Sequence, residues 1–267
     1  MSLAPIGDAE IYYEVDGLGE PLILITGMGG LASYWAPQVQ AFAKHFRVYR
    51  FDHRGAGRST HSDVAYSIEL LASDTIGLMS ALDIPSAHFV GHSTGGMMLQ
   101  VISSQHPEMV ASQVLYGTRG RTDAFSRRAM GLRKEAALHI GVESYVRSSP
   151  IFLYPSAWVH EHDAELTQAE RQAVASSAPA KIIASRLDAV LQHDQMHALG
   201  KIMAPTLVTC ARDDFLTPPY YSEELAAAIP NATLEFVSKG GHACSITNAG
   251  EFNDRVLNFL RQQSSIA

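Results

Sequence analysis

The apolar run Ala87 to Val90 breaks at Gly91-His92-Ser93-Thr94-Gly95 and passes at once into the helical stretch Met97 to Ile102. Few folds accept such a segment. A chain that reverses from strand to helix within five residues must press the two elements together, which demands glycine where they touch. The residue at the apex is held in a sharp turn with its hydroxyl lifted clear of the sheet, and the helix behind it aims free N–H groups at the turn. Gly-X-Ser-X-Gly also arises by chance, so its surroundings decide what it means.

Those surroundings alternate between strand and helix. Pro21 to Thr26 is continuously apolar, as a strand covered on both faces must be, and it ends in Gly27-Met28-Gly29-Gly30. The Gly-X-Gly-X-X-Gly spacing of a dinucleotide site is absent there. Phe46 to Phe51 is a further strand, followed by Asp52-His53-Arg54-Gly55-Ala56-Gly57-Arg58-Ser59, whose charges read as an ion-paired turn. Ser67 caps a helix carrying Ile68, Leu71, Thr75, Leu78, Met79 and Leu82 on one face until Ile84-Pro85 stops it. Val110 to Gly117, Pro205 to Ala211 and Ala232 to Val237 continue the strands, and a last helix sets Phe252, Val256, Phe259 and Leu260 on one side. This pattern predicts an α/β fold with a mostly parallel twisted sheet flanked by helices, opened by an antiparallel edge strand at Glu10 to Val15. From 118 to 195 the composition turns to Ala, Arg, Glu and Gln without a strand-like run, so a helical cap is expected there, inserted into a core of residues 1–117 and 196–267.

Two polar stations follow late strands. Arg212-Asp213-Asp214-Phe215-Leu216-Thr217-Pro218 comes after the Pro205 strand, and Lys239-Gly240-Gly241-His242 after the Phe236 strand. In open α/β sheets ligands bind beyond the carboxyl edge of the strands, so Ser93, an aspartate and His242 would converge there. A serine activated by a histidine that an acid orients is the arrangement for acyl transfer.

With Thr26-Gly27-Met28-Gly29, the Asp52 to Ser59 loop, the elbow, Asp214 four residues before Pro218, and Gly241-His242, the chain resembles the α/β-hydrolase superfamily over nearly its whole length. The resemblance implies Ser93 as nucleophile, His242 as base, Asp214 rather than Asp213 as acid, and the backbone N–H groups of Met28 and Thr94 as oxyanion hole. Within the superfamily, Pro150 to Trp158, Arg121, Arg127-Arg128 and Gly240 to Cys244 resemble the aminoacrylate hydrolases of bacterial pyrimidine utilisation. That implies cleavage of a small C–N-bonded acid such as aminoacrylate or a carbamate. The elbow of that group need not carry serine, so enol-lactonase, carbon–carbon (meta-cleavage product) hydrolase and carboxylesterase activities stay open, as does a ligand receptor on a hydrolase scaffold.

For substrate binding, Arg121 is expected at the exit into the cap as a carboxylate site, with Tyr154 and Trp158 limiting the room, although ion pairing for Arg121 and cap packing for the aromatics explain them as well. His92 at the variable position of the elbow reads as packing. His160-Glu161-His162-Asp163 and the His193/His197 pair have zinc-like spacing, but a solvated surface accounts for them and neither metal nor cofactor is expected. A net charge of −7 with no long Lys/Arg run argues against nucleic-acid and anionic-membrane partners, leaving a small-molecule substrate; a homodimer is compatible with it. No apolar stretch reaches the roughly 20 residues of a membrane span. Met1 to Asp8 lacks a leader pattern and Cys210 and Cys244 are the only cysteines, so the cytoplasm is the expected compartment.

Overall fold

The computed structural model describes residues 2–264. Eight strands among them, β1 (Ser2–Ile6), β2 (Ala9–Asp16), β3 (Pro21–Ile25), β4 (Arg47–Phe51), β5 (Ala87–His92), β6 (Val110–Tyr116), β7 (Thr206–Ala211) and β8 (Ala232–Val237), join in one sheet of order β1-β2-β4-β3-β5-β6-β7-β8. From β4 to β8 every neighbouring pair is parallel, and β1 and β2 are antiparallel additions. β3 shows why the sheet lies in the middle of the molecule. Leu22 and Leu24 enter one apolar cluster with Trp35, Phe42, Phe252 and Val256, while Ile23 and Ile25 enter another with Leu71, Leu78, Met97 and Leu99. Helices must therefore cover both faces, and each aliphatic side chain so buried stabilises the fold by roughly 1.5–3 kcal/mol.

On one face lie α1 (Ala36–Phe42) and, at the end of the chain, α11 (Ala249–Gln263), whose buried stripe Phe252, Val256 and Leu260 recurs at helical spacing. The other face is covered by α2 (Ile68–Ala81), α3 (Thr94–Gln105) and α9 (Pro219–Ala228). The side chain of Ser67 accepts from Leu70 N at 3.0 Å and caps α2. Between β6 and β7 the chain forms α4 (Ala124–Glu135), α5 (Val142–Leu153), α6 (Ser156–Glu161), α7 (Asp163–Ser176) and α8 (Ala180–Gln192), and no strand among the described residues. It leaves and re-enters the sheet side by side, at an isolated bridge between Arg121 and Asp194. The short α10 (Cys244–Thr247) precedes α11.

The strand order corrects one expectation. Glu10 to Val15 is not the edge: β1 lies outside it, with Ala4 paired to Ile11 and Pro5 to Glu10. Proline has no N–H for a ladder and reads as a strand breaker, yet an edge strand tolerates it because only one side is paired. α1 is likewise unexpected from sequence, because Pro37 sits in it; in the first turn proline removes no intrahelical bond.

Position follows from topology. β3 lies between β4 and β5, so the connection leaving β3 runs to one side of it while the chain from β5 runs on to β6 at the other. A crevice opens at such a switch point, beyond the carboxyl ends of β3 and β5. Gly27 and Ser93 stand there. Among the described residues no helix is long and apolar enough to cross a membrane.

Candidate active site

Ser93 stands between β5 and α3 with φ 54° and ψ −114°. A non-glycine residue in this region stores about 1–3 kcal/mol, so the surroundings must over-determine it. They do so through the main chain: Ser93 N donates to Tyr116 O at 2.9 Å, and Ser93 O accepts from Gly96 N at 3.0 Å, Met97 N at 3.2 Å and Thr118 Oγ1 at 2.7 Å. The flanking glycines permit the contact between elements. A Cβ on Gly91 would stand 2.7 Å from Gly95 O, and one on Gly95 would collide with Ile25 O at the end of β3. Thr94 opens α3, so its N–H has no partner within the helix. The loop after β3 closes in from the other side: the Cβ position of Gly27 is 3.0 Å from Ser93 Cβ, and Met28 follows.

Asp214 and His242 arrive from β7 and β8. Asp214 Oδ1 accepts from Leu216 N at 2.9 Å and Thr217 N at 2.8 Å, while Oδ2 accepts from Thr217 Oγ1 at 2.7 Å and His242 Nδ1 at 3.0 Å. With its lone pairs engaged from four directions the carboxylate has one orientation. The proton it draws to His242 Nδ1 leaves Nε2 with a lone pair, as a general base requires. Both side chains lie over Gly117, the residue after the carbonyl that holds Ser93 N, so the ends of β5, β6, β7 and β8 set Ser93, Gly117, Asp214 and His242 along one edge of the sheet. The neighbouring Asp213 does something else: its Oδ1 accepts from Gly240 N at 2.8 Å and Gly241 N at 2.9 Å, which fixes the loop that presents His242.

A model of the alpha/beta hydrolase family matches residues 22–255. The chain belongs to this family. A protein of Azorhizobium caulinodans named "Putative carbamate hydrolase RutD" is 38% identical over 259 residues, 97% of this chain and 98% of its own length. The protein of the same name from Serratia proteamaculans is 36% identical over 94% of this chain and 96% of its own. Among solved structures, the enol-lactonase from Burkholderia xenovorans LB400 superposes with a TM-score of 0.90 at 28% identity, covering 97% of this chain and 100% of that one.

Around the hydrolase elbow the structure adds residues that sequence reasoning missed. His92 is buried between Tyr34, stacked at 4.7 Å, and Tyr116 at 4.5 Å, and its Nε2 donates to the backbone oxygen of His242 at 3.1 Å. Tyr116 Oη donates to the same oxygen at 2.8 Å. The elbow's variable residue thus anchors the loop of His242, a task that no local pattern announces. Thr217 had a local signal, since an acid followed two and three residues later by the amides it accepts from is an Asx-type turn. The Asp52 loop is structural, as expected: Asp52 accepts from Ala32 N, Arg58 N and Arg58 Nε, and Arg54 forks onto Asp74 at 2.7 and 2.8 Å.

The substrate-binding expectations divide. Leu153 O accepts from Ala243 N at 3.0 Å, so the end of α5 rests on the His242 loop and Tyr154 stands beside the site, its ring 4.5 Å from Trp158. Trp158 turns its other side to His162, stacked at 4.1 Å. Arg121 is not brought in with them. Its side chain is half-exposed and pairs with Glu224 of α9 at 2.6 Å, which is the ion-pair alternative weighed for it, and its charge is compensated there. His162 Nδ1 donates to Trp158 O and His193 Nε2 bonds to Gln100; among the described residues no group of three His, Cys, Asp or Glu side chains is placed to hold a metal.

Three buried histidines set an acid limit. Burial, then the charge of Arg186, lowers His53 to about 3; burial, then the charge of Arg119, lowers His193 to about 3; burial, then His242, holds His92 well below its ordinary value. Each stays neutral in the folded state while the unfolded chain takes up a proton near pH 6.5, so stability is present above that value and is lost as pH falls below it, toward 3 for His53 and His193. Unfolding free energies from urea titrations are expected to drop from pH 7 to pH 5, by up to about 1.4 kcal/mol per pH unit for each histidine. A flat or rising profile over that window would contradict the assignment. The slope should shrink in a His53→Gln/His193→Gln variant.

Proposed function

We propose that the protein is a serine hydrolase of a small carboxylate-bearing metabolite, cleaving a carbamate- or amide-type C–N bond through an acyl-enzyme. The observation that carries this reading is the pair His242 Nδ1 to Asp214 Oδ2, 3.0 Å apart above Gly117, next to a serine held at φ 54°. His242 Nε2 takes the Ser93 hydroxyl proton as Oγ bonds to the acyl carbon; the same nitrogen then protonates the departing amine, and a water deprotonated by His242 releases the acid and restores Ser93. The Met28 and Thr94 N–H groups receive the oxyanion, a stabilisation of about 2.7–4 kcal/mol for such a donor. Asp214 keeps the imidazole tautomer and stabilises its charged form. The relatives named as carbamate hydrolases favour the C–N bond. Enol-lactone hydrolysis is the second reading, favoured by the enol-lactonase superposition.

A fluorophosphonate is expected to label the protein once, on Ser93, and a panel of short carbamates, amides and enol-lactones, each with and without a carboxylate, is expected to give fastest release from an anionic carbamate or amide. Labelling elsewhere or none at all removes the acyl-enzyme. Faster turnover of anionic enol-lactones transfers the assignment to the second reading.

A further inference from the structure

A buried cation is costly unless something compensates its charge. Arg54 and Arg186 are both buried, 3% and 4% exposed. Arg54 meets two carboxylates, Asp74 at 2.7 Å and Asp8 at 2.9 Å. Arg186, on α8, meets none among the described residues: Nη1 reaches only Gly55 O and Nη2 only His53 Nδ1, both at 3.4 Å, and Nε has no partner. A guanidinium carries five donors, and leaving a charge buried without an anion is costly. His53 repeats the pattern. If its Nδ1 accepts from Arg186, its Nε2 carries the proton, and that buried atom too is without a partner.

The position of Arg186 adds to this. Arg186 Nη2 lies 2.7 Å from where a Cβ of Gly30 would be, so a side chain at Gly30, which also has φ 72°, would push the guanidinium off the loop. Gly30 N donates to Gly27 O at 3.0 Å, closing a tight turn, and Gly27 abuts Ser93. The ends of such a turn are less than about 7 Å apart. One β-turn therefore separates the uncompensated cation of the helical insert from the serine of the core. Two further buried arginines have no carboxylate within hydrogen-bond reach among the described residues: Arg119 bonds to Thr122 Oγ1 at 3.4 Å and Val190 O at 3.2 Å, and Arg133, on α4, bonds to Tyr145 Oη at 3.3 Å and Ser149 Oγ at 3.2 Å and lies over the Tyr145 ring. Of the three, only Arg186 touches the loop after β3.

We propose that Arg186 recognises the substrate carboxylate, and that the substrate is a short acid in which only a few bonds separate that carboxylate from the carbonyl attacked by Ser93. A planar carboxylate matches the guanidinium fork, and the same contact ties the insert to the core while substrate is bound. A short acid is favoured over a long-chain ester because a single β-turn lies between the cation and the nucleophile. The inference rests on reading Ser93 as the nucleophile, and its test is built to survive the failure of that reading.

Two measurements decide it. Succinate is expected to raise the melting temperature of wild type and of Ser93→Ala, because a ligand bound only by the folded state stabilises it, whereas succinamide is not. In Arg186→Met the succinate shift is lost, and in Arg186→Lys, which keeps the charge but not the fork, it is reduced. With esters, the ratio of kcat/KM for mono-p-nitrophenyl succinate over p-nitrophenyl acetate is expected to fall about ten- to a hundredfold in Arg186→Met, the loss of one or two charge-assisted bonds, and less in Arg186→Lys. No succinate shift in wild type, an equal shift in the Arg186 variants, or an unchanged ester ratio overturns the proposal; should Arg186→Met not fold, Arg186→Lys is judged by the same criteria. Succinate binding that depends on Arg186 in a protein that hydrolyses neither ester would uphold the anion site and sink the acyl-enzyme reading alone.

Discussion

Ser93→Ala is expected to lower kcat by about 10⁵- to 10⁶-fold while leaving a folded protein, the magnitude that removing the nucleophile has in serine hydrolases generally. The fold survives because the elbow is held by the main chain of Ser93, through Tyr116 O, Gly96 N and Met97 N, and by Thr118 Oγ1, and none of these contacts uses the hydroxyl. Alanine keeps the Cβ, so the stored backbone strain is unchanged. His242→Ala is expected to cost a similar factor, and the double variant little more than either alone, since a base without its nucleophile has nothing to activate. Single-turnover kinetics on an activated ester would show it. Retained turnover in Ser93→Ala, or fully multiplicative losses in the double variant, would move the nucleophile elsewhere.

The second large effect separates two adjacent acids. Asp214→Asn is expected to lower kcat by about 10⁴-fold, because an amide can turn its NH₂ toward His242 Nδ1 and impose the wrong tautomer, and because it removes the charge that stabilises the imidazolium. Asp213→Asn is expected to cost less than tenfold, since asparagine retains an Oδ1 to accept from Gly240 N and Gly241 N. Asp213→Ala should cost more than Asp213→Asn, because the loop carrying His242 would lose both anchors. Kinetics of the three variants on one ester decide the ranking; an Asp213→Asn defect as large as that of Asp214→Asn would show that the acid's work is shared.

Much of this molecule could be read from the chain because the forces concerned are local. β8 occupies Ala232–Val237 as expected, Ser67 caps α2, and the glycines of the elbow stand where β5, β3 and α3 touch. Apolar periodicity, capping and steric demand for glycine act over a few residues and leave their mark there. β1 escaped for an equally physical reason. Pro5 is tolerated only because β1 is an outer strand, and being outermost is a property of the finished sheet. The site divides in the same way. The turns that carry Ser93, Asp214 and His242 were legible in the chain, with Asp214 singled out from Asp213 by the family resemblance, but the residues that hold and complement them were not. His92 and Tyr116 meet the His242 carbonyl across 150 and 126 residues. Arg121 and Arg186 are the same residue type in the same helical insert, and what distinguishes them is that one meets Glu224, 103 residues away, and the other meets no carboxylate among the described residues. By itself the sequence determined the layered sheet, the order of its main elements and the three groups at its carboxyl edge; only the tertiary structure decided which arginine has its charge compensated, because ion pairing depends on distances that the packing of remote segments sets.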